Sequence, residues 1–148
     1  MVQADSIIPA LEEQLGCYQR LAKLAELQHI HVQQNQTESL LEVLRRRQVI
    51  LDEITGLERI IGPAKRDWAA YVGSIGDECR KLAESLLART RCLIEQITTA
   101  DQNDAMVLQQ RKLNLGKQIN QASSARQINR NYAAAAYGKR TARMDVQR

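Results

Sequence analysis

Residues 37–65 read TESLLEVLRRRQVILDEITGLERIIGPAK, and the spacing of their apolar residues decides the fold. Leu40, Val43, Ile50, Ile54, Leu57 and Ile61 recur at steps of three and four, with Arg47 filling the one position where an aliphatic is expected. That period matches an α-helix and draws a single stripe along one side. The spacing predicts a helix from about Glu38 to Ile61, ended by Gly62-Pro63.

Working upstream, the polar stretch QQNQTES (33–39) interrupts the pattern, with Asn35 or Thr37 suited to cap the helix that follows. Before it, Ile7 or Ile8, Leu11, Leu15, Tyr18, Leu21, Leu24 or Ala25, and Gln28 form a second stripe. This predicts a helix from about Asp5 to Val32, capped by Asp5 or Ser6, with Pro9 in its first turn. So short a link between two long helices implies an antiparallel hairpin.

Downstream, AKRDWAAYVGSIGDE (64–78) predicts a short helix near 64–72 and a break near 73–76, where Gly73 and Gly76 lie. A third long helix starts at about Asp77. Cys79, Leu82, Leu86, Leu93 and Ile97 share one face. The polar run TTADQND (98–104) weakens it, but the stripe resumes in phase at Leu108, Leu115, Ile119 and Ala122. At 1.5 Å per residue, the first two helices span about 40 Å and the third about 65 Å. The hairpin cannot cover the whole third helix, so Leu108, Leu115 and Ile119 are expected to stay partly uncovered. Such a bundle gains a partner there, dimerises, or folds its tail back.

Composition agrees with an all-α chain: an antiparallel hairpin packed on a long third helix, in a coiled-coil-like three-helix bundle. Its 148 residues suit one domain. Seven Gly and two Pro are too few for a structure of many tight turns, and Phe is absent. The opening residues show no basic n-region and no long apolar run, which predicts neither a secretion signal nor a membrane span. Three widely spaced cysteines, Cys17, Cys79 and Cys92, suit reduced thiols and a cytoplasmic location better than a disulfide framework.

Charge divides the chain. Residues 1–125 hold 15 Lys/Arg and 16 Asp/Glu, whereas residues 126–148 hold six Lys/Arg and one Asp. A helical body over 1–125 and a basic, mobile tail over 126–148 follow from that contrast. The tail ends in NRNYAAAAYGKRTARMDVQR (129–148) and has three readings. Its alanines favour a helix to about Tyr137, with Gly138 as a stop and a loose end beyond. Its charge suits a nucleic-acid arm. Tyr132, Tyr137 and Met144 suit a segment that folds on a partner. The near-neutral body offers no basic groove to continue a nucleic-acid site, so the partner reading is the stronger.

No enzymatic constellation emerges, and no cofactor, metal or small-molecule site is expected. His29 and His31 lie two apart, which points them about 200° apart on a helix and away from a shared ion. Both are expected at the surface or a helix end. Cys79 and Cys92 read as small core residues without metal partners. Arg45, Arg46 and Arg47 fan round their helix as a solvated face, with the stem of Arg47 snorkelling across the seam. Trp68 either plugs the end of the hairpin or anchors an interface.

The stretch from Thr37 to Ile60 resembles the FlgN family of flagellar export chaperones, whose second helix has an LxxLLxxRQxxLxxIxxLE-like pattern. Leu40, Leu41, Leu44, Arg47, Gln48, Leu51, Ile54, Leu57 and Glu58 match it, and the resemblance covers most of residues 7–122. It implies a cytosolic, non-enzymatic chaperone of flagellar type III export. Such a chaperone binds C-terminal helical segments of the hook–filament junction proteins FlgK and FlgL, and export-gate components are further partners. The family's C-terminal region holds the client. Carried onto this chain, that region starts at about Val107, and the candidate partner residues are Val107, Leu108, Leu115, Ile119, Ala122, Ile128, Tyr132, Tyr137 and Met144. A self-associating coiled coil, such as a homodimer, is the alternative.

Overall fold

The computed structural model describes the backbone of residues 2–146 and the side chains of residues 6–135. Over that range the chain is all-α, with four helices: α1 (Val2–Gln33), α2 (Thr37–Arg66), α3 (Trp68–Ser74) and α4 (Asp77–Val146). It divides into two compact units, Met1–Ala105 and Met106–Arg148.

In the first unit, α1 and α2 form the antiparallel hairpin. Gln14 bonds Glu58, Arg20 bonds Glu53 and Gln28 bonds Arg47, so partners later in α1 sit earlier in α2. The turn between them is a Schellman motif. Gln36 N–H donates to the His31 carbonyl at 2.9 Å and Asn35 N–H to that of Val32 at 3.2 Å. Asn35 takes φ 56°, the left-handed conformation that asparagine tolerates better than most residues. It therefore closes α1 rather than capping α2. The residue at the N-cap of α2 is Gln36, which makes no side-chain capping bond, so Thr37 does not cap either.

The core follows the two predicted stripes. Ile7, Leu11, Leu15, Leu21 and Leu24 of α1 are buried against Val43, Ile50, Ile54, Leu57 and Ile61 of α2. Burying each such side chain contributes about 2 kcal/mol before entropy is counted. Ala10, Gln14 and Cys17 are buried as well, so the inward face of α1 is wider than one stripe.

In the first unit three boundaries differ from the sequence reading, the start of α1, the end of α2 and the start of α3. α1 begins at Val2, which places Pro9 inside the helix rather than in its first turn. α2 runs through Gly62-Pro63 to Arg66. Pro63 lacks the N–H that would bond the carbonyl of Arg59, but Ile61 is fully buried and Ala64 packs on the core, and this packing holds the turn in the helix. Lys65 Nζ also reaches back across it to Glu58 Oε1 at 2.9 Å. The break then comes at Asp67, whose side chain caps α3 by accepting from Ala70 N–H, and again at residues 75–76.

The part of α4 in the first unit buries Ala83, Leu86, Thr90, Ile97 and Asp104, with Leu93 partly buried. Cys79, Leu82 and Cys92 are exposed, contrary to the expectation that the two cysteines are core. Spacing of three or four from Leu86 permits either Leu82 or Ala83, and the core takes the smaller residue. Trp68, Tyr71 and Ile75 supply bulk here, packed on the core cluster. Trp68 is half-buried, with its ring centroid 5.3 Å from that of Tyr71. It also lines a surface hollow with Lys65, Leu87, Thr90, Arg91 and Ile94.

In the second unit α4 is helical to Val146, through Gly138 and beyond both ends the sequence suggested, Ala122 and Tyr137.

Candidate functional site

Two features stand apart from ordinary helix packing. One is a polar layer inside the first unit, and the other is an exposed apolar face in the second.

The polar layer centres on Arg47, the lone charge in the stripe of α2. Its guanidinium reaches Asp101 of α4 by two bonds of 2.7 Å and also donates to Gln28 of α1. Gln28 donates in turn to Asp104 at 3.1 Å and to Asp101 at 3.3 Å, and His29 Nδ1 lies 2.8 Å from Asp104 Oδ1. Asp104 is 1% exposed and the Arg47 side chain 12%. The bonds to Asp101 hold the guanidinium pKa above its ordinary value despite burial. Arg47 is thus an internal clamp, not a snorkelling stem. The run 98–104, which looked like a weak point of the helix, carries the carboxylates that satisfy it.

The layer joins α1, α2 and α4 at one level. It has no nucleophile poised beside a base. His29 turns to Asp104 and His31 to Gln36 Oε1 at 2.7 Å, so the two do not converge on one ion. Among the described residues no group of three His, Cys, Asp or Glu side chains is placed to hold a metal. Cys17 is buried beside Arg20 and Glu53, and burial pushes its thiol pKa up, which makes it a poorer nucleophile. Periodicity picks out Arg47 and Gln28 but gives no sign of Asp101 or Asp104. The signal available was a charge and a Gln on otherwise apolar stripes, at Arg47 and Gln28.

In the second unit, Leu108 is 41% exposed, Leu115 58% and Ile119 58%. Because the helix is continuous, 100° per residue places these three and Ala122 within a sector of about 60°. The candidate residues do not all share it. Relative to Leu115, Val107 lies about 80° away, Tyr132 about 100° and Ile128 about 140°. Ile128 and Tyr132, 53% and 73% exposed, therefore belong to a different side of the helix. The side chains of Tyr137 and Met144 lie outside the described residues.

Charge marks the same segment. Asp104 is the last carboxylate before Asp145, so residues 105–144 contain eight Lys/Arg and no Asp or Glu. Relative to Leu115, Arg111 lies about 40° to one side, Lys112 and Arg130 about 60° to the other, and Arg126 about 20° away. Arg111, Lys112 and Arg130 thereby lie beside the apolar sector and Arg126 falls within it, whereas Lys117 points the opposite way.

Among the described residues no helix is long and apolar enough to cross a membrane. Compared with known protein families, curated proteins and solved structures, the chain matches none of them.

Proposed function

We propose that this chain is a non-enzymatic chaperone that shelters an amphipathic helix of a client protein. Its scaffold is a coiled-coil-like three-helix bundle, and its client site is the sector formed by Leu108, Leu115, Ile119 and Ala122. The observation that carries this reading is the exposure of three large aliphatics at helical spacing in an uninterrupted helix. A face of this kind suits helix-in-groove or coiled-coil docking. The FlgN-like pattern of α2 supports a more specific form: a cytoplasmic flagellar export chaperone whose clients are hook–filament junction proteins of the FlgK and FlgL type.

Co-purification tests it. The full chain, co-expressed with the C-terminal helical segment of a junction protein from the same organism, retains that segment. Leu115→Glu/Ile119→Glu loses the complex and leaves the melting temperature unchanged, because both side chains are already exposed. Undiminished capture by this variant contradicts the proposal.

A further inference from the structure

We infer that an exposed stripe of α2 pairs with the same stripe of a second copy of this chain, running antiparallel. This face lies in the first unit, apart from the client site proposed above, and the inference does not depend on that site.

Besides its buried stripe, α2 carries a second one on its outward side. Leu41, Leu44, Gln48, Leu51 and Thr55 recur at steps of three and four, as the seam of a coiled coil does. Its three leucines are 48%, 44% and 39% exposed. The two polar members have local partners: Gln48 donates to Asp52 and the Thr55 hydroxyl to the Leu51 carbonyl, each at 3.0 Å. Polar residues in a seam cost stability but narrow its register.

The charges beside the seam say what covers it. Glu38, Arg45, Asp52 and Arg59 follow one another at steps of seven along one edge, alternating in sign, and all four are exposed. Reversed end to end, this row is its own complement. About a two-fold axis between Gln48 and Val49, Glu38 meets the second copy's Arg59 and Arg45 meets the second copy's Asp52. The symmetry then repeats both contacts. Intrachain competition is slight. Arg45 lies 3.5 Å from Glu42, which Arg46 also approaches at 3.6 Å, and Asp52 accepts from the uncharged Gln48. Among the described residues Glu38 and Arg59 form no ion pair.

Other occupants fit this edge less well. A parallel pair sets the row against positions 40, 47 and 54, which are turned into the bundle: Ile54 is buried and Arg47 is held by Asp101. A client helix of uniform charge gains two contacts along the row and meets like charge at the other two. An antiparallel second copy gains at all four.

Sedimentation equilibrium of the full chain over a range of concentrations tests the pairing. A monomer–dimer equilibrium is expected, weakened by added salt because the edge is exposed. Arg45→Asp brings like charge to both symmetry-related contacts with Asp52 and is expected to weaken the dimer at least about tenfold. Arg45→Asp/Asp52→Arg exchanges the two signs, which restores opposite charge in the antiparallel register, and is expected to recover most of the affinity. Both variants are expected to keep the wild-type helicity by circular dichroism, since the altered side chains are exposed. A chain that stays monomeric at every concentration overturns the inference. So does a dimer that Arg45→Asp leaves intact, or one that the exchange weakens as much as the single substitution. A dimer lost in Leu115→Glu/Ile119→Glu instead places self-association on α4 and overturns it as well.

Discussion

Arg47 and Asp101, 54 residues apart in sequence, meet through two parallel guanidinium–carboxylate bonds of 2.7 Å each. The geometry is the bidentate fork that arginine makes best. It pins α2 to α4 at one level, while Gln28 brings in α1. An aliphatic at position 47 would continue the stripe but would leave Asp101 without its cation.

Removing one side of this pair separates its two effects. Arg47→Ala leaves Asp101 without its cation and is expected to cost about 2 kcal/mol. That is less than the 3–5 kcal/mol typical of a fully buried pair, because the Asp101 side chain remains 35% exposed. Arg47→Met/Asp101→Leu is expected to regain most of the loss. Urea unfolding of the wild type, Arg47→Met, Asp101→Leu and the double variant gives the coupling. A single Arg47→Ala variant as stable as wild type would show that the pair contributes nothing.

Asn35 offers a cleaner backbone test. With φ at 56°, Asn35→Gly is expected to be neutral or mildly stabilising, whereas Asn35→Val costs about 1–2 kcal/mol. Thermal melts followed by circular dichroism read both. Equal stability of the two variants would place the turn in another conformation.

Thiol chemistry checks the altered face of α4. Cys79 and Cys92 are exposed and are expected to react with a thiol reagent in the folded protein. Cys17 is 2% exposed and is expected to react only on unfolding. Two fast thiols and one protected thiol is the predicted count. No fast thiol and three protected would restore the sequence-based placement of the cysteines in the core.

Acid weakens the hairpin in a predictable direction. The hydrogen bond from Arg20 holds the Glu53 carboxyl below its ordinary value of 4.5. Burial raises the Glu58 carboxyl, but hydrogen bonds from Lys65 and Gln14 outweigh it and leave the pKa lowered as well. Groups with depressed pKa values stabilise the fold above their unfolded pKa and lose that contribution as pH falls through the folded one. Stability is therefore expected to decline below about pH 4.5. Glu53→Gln/Glu58→Gln flattens that decline, as measured by melting temperature against pH. An unchanged acid limb in the double variant assigns the decline to other carboxylates.

The helical stripes were legible because burial of leucine and isoleucine repeats with the helix period. Every residue predicted on the stripes of α1 and α2 is buried or partly buried. Helix ends were less legible, since they depend on a balance between local cost and distant packing. Pro63 remains in α2 while Ile61 and Ala64 beside it pack on the core, a tertiary contact that local sequence does not signal. The polar layer was hidden for a related reason. Asp101 and Asp104 have the same composition as any solvated turn of helix, and only the positions of Arg47 and Gln28 across from them give them a role. The candidate face was legible as a set of aliphatics at helical spacing. Ile128 and Tyr132 were included because the resemblance assigns the client site to the whole C-terminal region, and the continuous helix puts them on another side from Leu115.

Hydrogen exchange of the full chain with and without a bound client segment tests the central claim most directly. Slowed exchange concentrated over residues 108–122 is the predicted result. Two other surfaces could take a helix instead: the exposed aliphatics Leu41, Leu44 and Leu51 of α2, and the groove lined by Ala22, Ala25, Ile30, Ile97 and Ala100. Protection at either of those, with residues 108–122 unchanged, would contradict the account.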